Sequence, residues 1–270
     1  MKLQFTNGYR PRFDQITRIM QYLLTQQGRK RIPRQDMVSA LGVPVNQVEN
    51  LISMMIGFGL VKPITSVLTS FGEMIIHNDP YFEKLDTLWM IHYVVSSNPE
   101  WVVWHRIVNQ VIPVVEVIKI ENVAASYFAD LANHFSQKTI TEKLPKEIGA
   151  VLSSYTRSNL ARLNMLRQED AGFFMRSEPE TISPLAFLYC LVYYRELHAP
   201  GSTALNVEEV CCKNDGPGAV LYLAEYKTRG LLGQLHDLGM VRMEQFGNLD
   251  QVRIPDQLTQ TGILQQIYRN

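Results

Sequence analysis

Only three cysteines stand in 270 residues, an odd number, and no two of them are spaced as CxxC. Cys211 and Cys212 are adjacent, where a disulfide would be strained. A disulfide framework is thereby excluded, and a reducing compartment with cysteines used for packing is expected. The six histidines include no HxxxH pair, so a zinc site of that kind has no ligands. Walker, GxSxG and GxGxxG signatures are missing, which removes the common nucleotide-binding and serine-hydrolase readings. No catalytic residue, metal ligand or cofactor is therefore assigned. The opening MKLQFTNGYR lacks the apolar stretch of a secretion signal, and apolar runs such as Leu185–Tyr194 are too short to span a bilayer. A cytoplasmic protein with no membrane partner is expected. Exact repeats and low-complexity segments are also lacking.

What is present is a core-forming composition, 46% hydrophobic and 19% charged, enough for one large core or several small ones. The 26 basic and 26 acidic side chains cancel, which argues against a polyanion-binding surface over the whole molecule. Their distribution is uneven. Residues 1–63 carry nine basic side chains against Asp14, Asp36 and Glu49, an excess of six. Such asymmetry is expected of an end that faces nucleic acid.

Hydrophobic periodicity organises the chain. Phe13, Ile16, Ile19, Met20, Leu23 and Leu24 give one buried stripe over Phe13–Gln27, which Gly28 ends. Gln35–Leu41 reads as a short second helix with Gly42 at its C-terminal cap. Val45–Phe58 reads as a third, with Val48, Leu51, Ile52 and Met55 on one face. Leu60–Pro63 and Ser66–Leu68 follow as a short strand and its return, and Thr69 or Ser70 caps a helix through His77. This order is that of a winged helix-turn-helix, placed at 12–80. Asp79–Asn109 is helical, aromatic-rich and broken at Asn98-Pro99. Residues 111–118 fit a strand or a buried helix end, and Asn122–Phe135 a helix. Thr139–Tyr155 is amphipathic with Pro145 in its first turn, and forms a second helix-turn-helix with the helix before it. Residues 156–180 read as a connector, Ser183–Leu197 as an apolar helix, His198–Ala204 as a loop and Val207–Cys212 as a short helix. After the NDGPG turn, Ala219–Leu238 is helical. Met240–Phe246 and Leu249–Ile254 flank a two-residue turn at Gly247-Asn248. The expected fold is mainly α, with two or three winged helix-turn-helix units, small β-wings and a helical middle. Its parts are an N-terminal unit 1–80, a middle 81–180 and a C-terminal winged-helix-like unit 181–270.

The third helix offers Asn46, Gln47 and Asn50 on its polar side, where amide side chains can pair with adenine edges. Its N-terminus points amides at phosphate. It has no Lys or Arg, so phosphate contacts would come from Arg29, Lys30, Arg31 and Arg34 before the second helix and from Lys62 on the strand. Arg10 and Arg12 either form an arm that reaches a groove or, for Arg12, pair with an internal carboxylate. A solvated face that binds protein is the alternative for the whole set. Lys143, Lys146 and Arg157 read better as an amphipathic surface than as a DNA track, since Glu142 and Glu147 dilute their charge. Lys227, Arg229, Arg242 and Arg253 are a weaker candidate. Asp79, Glu83 and Asp86 fall near one helical face, but Asp79 before Pro80 reads as a helix cap and Glu83 as a partner for surrounding charge, rather than a metal cluster. Trp101, Trp104, His105 and Arg106 read as a core corner.

Several stretches carry a resemblance to a known family. NDPYFEKLDTLWMIHYVVSSNPEWVVWH (78–105), KLPKEIGAVLSSY (143–155), ISPLAFLYCLVYY (182–194), GPGAVLYL (216–223) and LTQTGILQQIYR (258–269) resemble a bacterial family of unknown function. Its members occur beside phosphoadenylyl-sulfate-reductase-like proteins in gene clusters for phosphorothioate DNA modification and phage defence. One departure is FTNGYRPRF (5–13): Arg12 matches the family's Pro-x-Arg, but the preceding His-Glu-Thr-Phe is missing. The resemblance implies a component of a DNA-phosphorothioation or antiviral defence system, and with the basic N-terminal end the expected role is its DNA-binding subunit. Its partners would be double-stranded DNA and other subunits of a complex, and a homodimer is compatible with it. Two alternatives remain open: a DNA-nicking enzyme of such a system, or a scaffold whose winged helices hold a larger protein.

Overall fold

The computed structural model describes residues 1–270 apart from Ala171, Asn248 and Asn270. It is mainly helical, 57% helix against 11% strand, with two small antiparallel three-stranded sheets. The chain divides into two compact units, Met1–Glu180 and Thr181–Asn270.

The first unit begins with α1 (Phe13–Thr25), α2 (Arg34–Leu41) and α3 (Val45–Gly57). Phe13, Ile16, Ile19, Met20 and Leu23 of α1 and Val48, Leu51, Ile52 and Met55 of α3 are buried, the stripes expected from their spacing. Each such side chain contributes about 1.5–3 kcal/mol by leaving water. Gly42 ends α2 at φ +65, a left-handed cap that glycine adopts without steric cost. The expected strand and return after α3 reduce to a single bridge, Val61 to Leu68. Thr69 then accepts the Gly72 amide at 3.0 Å and caps α4 (Ser70–Asn78).

Asp79 follows α4 and caps a turn rather than a helix: its carboxylate accepts the amides of Glu83 and Lys84 at 2.7 and 3.0 Å. α5 (Leu85–Ser96) and α6 (Val102–Arg106) come next, separated near Asn98-Pro99 as expected. Trp89, Tyr93, Trp101 and Trp104 are buried, so the aromatic run is core. The Tyr155 hydroxyl accepts the Trp104 indole N–H at 3.0 Å and lies 2.7 Å from His92 Nδ1. Complete burial pushes the Tyr155 phenol well above its ordinary range, so it stays protonated in this network.

Past α6 a π-helical turn, Ile107–Val111, leads to β1 (Val117–Lys119), so the β-branched run supplies both a helix end and a strand. α7 (Ile120–Tyr127) is shorter than the expected helix and gives way to a 3-10 turn at Ala129–Asn133. α8 (Gln137–Glu142) and α9 (Leu144–Arg157) split the expected amphipathic helix at Lys143, with Pro145 in the first turn of α9. The expected connector at 156–180 instead contains β2 (Leu166–Asp170) and β3 (Phe173–Arg176). β3 pairs with both β2 and β1, giving the order β1-β3-β2.

The second unit repeats this order of parts. α10 (Pro184–His198), capped by Ser183, precedes β4 (Ala204–Asn206), which begins on the last residue of the expected loop. α11 (Val207–Cys212), α12 (Pro217–Val220) and α13 (Glu225–Asp237) follow, then β5 (Arg242–Phe246), β6 (Leu249–Arg253) and α14 (Gln260–Arg269). β6 pairs with both β5 and β4, so the order β4-β6-β5 matches that of the first sheet. Phe246 faces Leu249 across the β5–β6 hairpin and Gly247 has φ +58; Asn248, the other residue of the expected turn, lies outside the described residues. Cys190 and Cys211 are buried and Cys212 is exposed, none of them in a disulfide, and burial pushes the Cys211 thiol up to about 11. Among the described residues no helix is long and apolar enough to cross a membrane.

Candidate nucleic-acid interface

The candidate residues lie in the first unit, and an N-terminal arm positions part of them. Leu3 and Phe5 are buried, with the Phe5 ring 4.5 Å from Trp101 and 5.5 Å from Trp104. A methyl group at Gly57 of α3 would overlap that ring, so glycine there lets the arm approach. Beyond Phe5 the chain turns through two left-handed residues, Asn7 and Gly8. Glu147 holds this turn from α9. Its Oε1 accepts the amides of Phe5 and Thr6 at 2.7 and 2.6 Å, and its Oε2 accepts that of Gly8 at 3.2 Å. Asn7 adds a side-chain hydrogen bond to Asn50 Oδ1 on α3.

Glu147 is 1% exposed, so its role is the reverse of the surface dilution expected for it. Burial pushes its carboxyl above the ordinary value, against three amides that pull it down. Helical periodicity places Glu147 on α9 correctly but carries no sign that the buried face needs a polar partner. The available clue lies elsewhere in the chain, in the turn FTNG, whose amides lack carbonyl acceptors of their own.

The arm leaves Tyr9 and Arg10 exposed at the start of α3. There a hollow of about 480 Å³ gathers Arg10, Arg12, Asn46, Gln47 and Asn50 with Tyr9 and Gln15, over Pro44, Leu51 and Met54. Gln47 donates to Gln15 Oε1 across it. A second hollow of about 500 Å³ gathers Arg29, Lys30 and Lys62 with Thr65 and Glu73. Arg31 and Arg34 line neither. The ten candidates therefore fall into two clusters and two outlying side chains.

Ion pairing sorts them further. Each acidic side chain of residues 1–63 is matched by one candidate arginine: Arg12 to Asp14 at 3.0 Å, Arg29 to Asp36 at 2.9 Å and Arg34 to Glu49 at 3.1 Å. Arg12 thus pairs with an exposed neighbour rather than an internal carboxylate, and the guanidinium holds the Asp14 carboxyl below its usual range. All three pairs sit in solvent, where such contacts contribute about 0–1 kcal/mol and yield readily to a competing phosphate. Arg10, Lys30, Arg31 and Lys62 are exposed and carry no ion pair among the described residues. These four account for most of the local excess of positive charge.

The other basic sets look different. α9 buries Leu144, Glu147, Ile148, Val151, Leu152 and Tyr155, so little of it beyond Lys146 and its last turn faces solvent. In the second unit Arg229 pairs with Glu225 and Asp250 at 2.8 and 2.7 Å, while Arg242 and Arg253 share Glu244 at 3.4 and 2.7 Å. Among the described residues no three His, Cys, Asp or Glu side chains come together as a metal site.

The chain belongs to the DUF4007 family. The match to this family, described as a protein of unknown function, spans residues 9–268. Two solved structures share the fold of the DUF4007 chain. A magnesium ion-bound SspB crystal structure matches with a TM-score of 0.77 at 13% identity, covering 98% of this chain and 87% of that one. A second SspB crystal structure gives 0.75 at the same identity and coverage. A comparison with curated proteins finds no match.

Proposed function

We propose that this protein is a DNA-docking subunit of a bacterial DNA-modification or anti-phage defence system, of the phosphorothioation type that the sequence resemblance implies. Residues 1–80 act as a winged helix-turn-helix, 81–180 as a helical middle and 181–270 as a second winged-helix-like unit. The observation that carries the reading is the set Arg10, Lys30, Arg31 and Lys62, exposed cations without an ion pair among the described residues, three of which line the two hollows. Such side chains can neutralise phosphates without first breaking an ion pair. Asn46, Gln47 and Asn50 on α3 supply amide groups for base edges, and Arg12, Arg29 and Arg34 can exchange exposed partners for phosphate. Backbone docking within a larger cytoplasmic assembly fits better than solitary sequence reading, since α3 has no basic residue.

The test is a mobility-shift titration on a short duplex across a salt series. Wild type is expected to bind with a steep loss of affinity as salt rises. Replacing Arg10, Lys30, Arg31 and Lys62 with Ala should flatten the log–log slope by about 3 to 4, near 0.9 for each phosphate no longer neutralised. An unchanged slope sinks the reading. A second reading, a surface for a partner protein, is favoured for residues 181–270 by one observation. Tyr226 and Phe246 are 71% and 86% exposed beside arginines already committed to carboxylates. Co-purification with neighbouring gene products tests it.

A further inference from the structure

The connection between Val61 and Leu68 carries a residue that folding does not account for. Ile64 has φ +71, and the Thr65 amide donates back to the Pro63 carbonyl at 2.8 Å. This is a γ-turn of the rare, strained kind with positive φ. A β-branched side chain is among the least suited to that backbone. Ile64 is also 85% exposed, so burial returns nothing for the strain. Glycine or asparagine would close the same turn without either cost.

The turn is nonetheless firmly held. Lys62 donates its amide to Val67 at 2.8 Å, Ser66 to Lys62 at 3.2 Å, and Ile32 to Thr65 at 2.9 Å. An apolar tip is thus preorganised in water, one residue wide, with Pro63 behind it. Lys62 at its base joins Lys30 and Arg29 around the neighbouring hollow. The ligand that fits has to offer close-set negative charge and, beside it, a narrow apolar slot. A DNA duplex opened at one base step offers both, and apolar wedges of this size kink duplexes by partial unstacking. An anionic bilayer offers both as well, but a single isoleucine fixes no orientation there and anchors only marginally.

We propose that Ile64, backed by Pro63, is a wedge that enters between base pairs of bound double-stranded DNA and bends it. The proposal rests on the DNA-docking reading above and adds to it insertion into the base stack and a deformation. Strain observed at a tip that does nothing for the fold is what points to function.

The full chain is tested with two duplexes, one carrying 2-aminopurine and one carrying a donor and an acceptor dye at its ends. Wild type should raise the 2-aminopurine fluorescence and shorten the end-to-end distance. Ile64→Gly should abolish both changes while weakening binding by no more than about tenfold, because the missing wedge and the unstacking no longer required offset one another. Its Tm should be unchanged or higher, since glycine relieves the turn, and Ile64→Phe should keep the bend. Wild type that binds without either signal, an I64G protein that still bends DNA, or an I64G protein with a lower Tm overturns the wedge and leaves DNA docking standing. Absence of any duplex binding overturns both. Binding of phosphatidylserine vesicles that I64G removes, with DNA bending untouched, assigns the tip to a membrane and overturns the wedge.

Discussion

The two ends of the molecule carry similar numbers of arginines and differ in what those arginines already hold. In the second unit α13 bears Arg229, and the β5–β6 hairpin bears Arg242 and Arg253; each is matched to Glu225, Asp250 or Glu244 within 3.4 Å. In the first unit α3 bears no basic side chain, yet its surroundings present Arg10, Lys30, Arg31 and Lys62 without ion pairs among the described residues. A count of charges along an element would rank the ends the other way. What a polyanion can use is the charge left after local pairing, and that favours the N-terminal end. Net charge by sequence window is therefore a first filter, and pairing is the second.

The comparison breaks most sharply through those four cations. Removing them should lower duplex affinity by about 10²- to 10³-fold near 0.15 M salt, the sum of several screened phosphate interactions. The protein should keep its Tm, because none of the four is buried or carries an ion pair among the described residues. A titration and a thermal melt on the same sample separate loss of binding from loss of fold. Equal losses from the four-cation variant and from a variant of the C-terminal arginines would dissolve the contrast between the ends.

Glu147 sharpens it in another way, since the arm that carries Tyr9 and Arg10 hangs from its carboxylate. Glu147→Ala leaves the amides of Phe5 and Thr6 without their acceptor and that of Gly8 with only the Thr6 hydroxyl oxygen, at a cost of about 2–4 kcal/mol in stability. Hydrogen exchange should speed at those three amides first. Glu147→Gln keeps one acceptor oxygen but sets an NH2 donor against an N–H, and should fall between the two. The pH dependence has a defined sign. Burial raises the folded-state value above the ordinary 4.5, so the folded chain binds this proton more tightly than the unfolded chain. The resulting stabilisation is complete below the unfolded value and fades as pH rises through the folded one. Wild type should therefore gain stability over Glu147→Gln as pH falls from 7 toward 4.5, read as a widening gap in denaturant midpoints. A gap that narrows contradicts the assignment.

Much of the helical frame is legible in the sequence because it depends on local periodicity. α1 and α3 follow stripes that any helix with one buried face must show, α10 follows a continuous apolar run, and Gly42 and Ser183 mark ends, the one by a left-handed backbone and the other by a hydroxyl that accepts the Ala186 amide. The strands are less legible. β4 has three residues and β1 three, too few to display alternation, and each becomes a strand only by joining a hairpin distant in sequence. In the β2–β3 hairpin, LRQED is almost wholly polar and reads as loop until its partner is known. The same limit governs the candidate site. Composition singles out the ten residues, but only the folded chain divides them between two hollows and reveals that Asp14, Asp36 and Glu49 each engage one of them. Glu147 is the least legible, because its partners lie about 140 residues away.

The smallest expected effect is the most discriminating. Replacing Arg229, Arg242 and Arg253 with Ala removes three positive charges, nearly as many as the four-cation variant. If charge alone governed docking, the two losses would be comparable. Because these arginines are held by Glu225, Asp250 and Glu244, freeing the carboxylates adds local negative charge while few phosphate interactions disappear. Duplex affinity should fall less than about threefold and the salt slope should change by less than about 1, as expected where every phosphate stays neutralised. Tm should drop by a few degrees instead, since the Arg229–Asp250 pair, about one-third exposed on each side, ties α13 to β6. A slope that flattens by about 2 or more would place phosphate at the C-terminal unit and make the two ends equivalent in function.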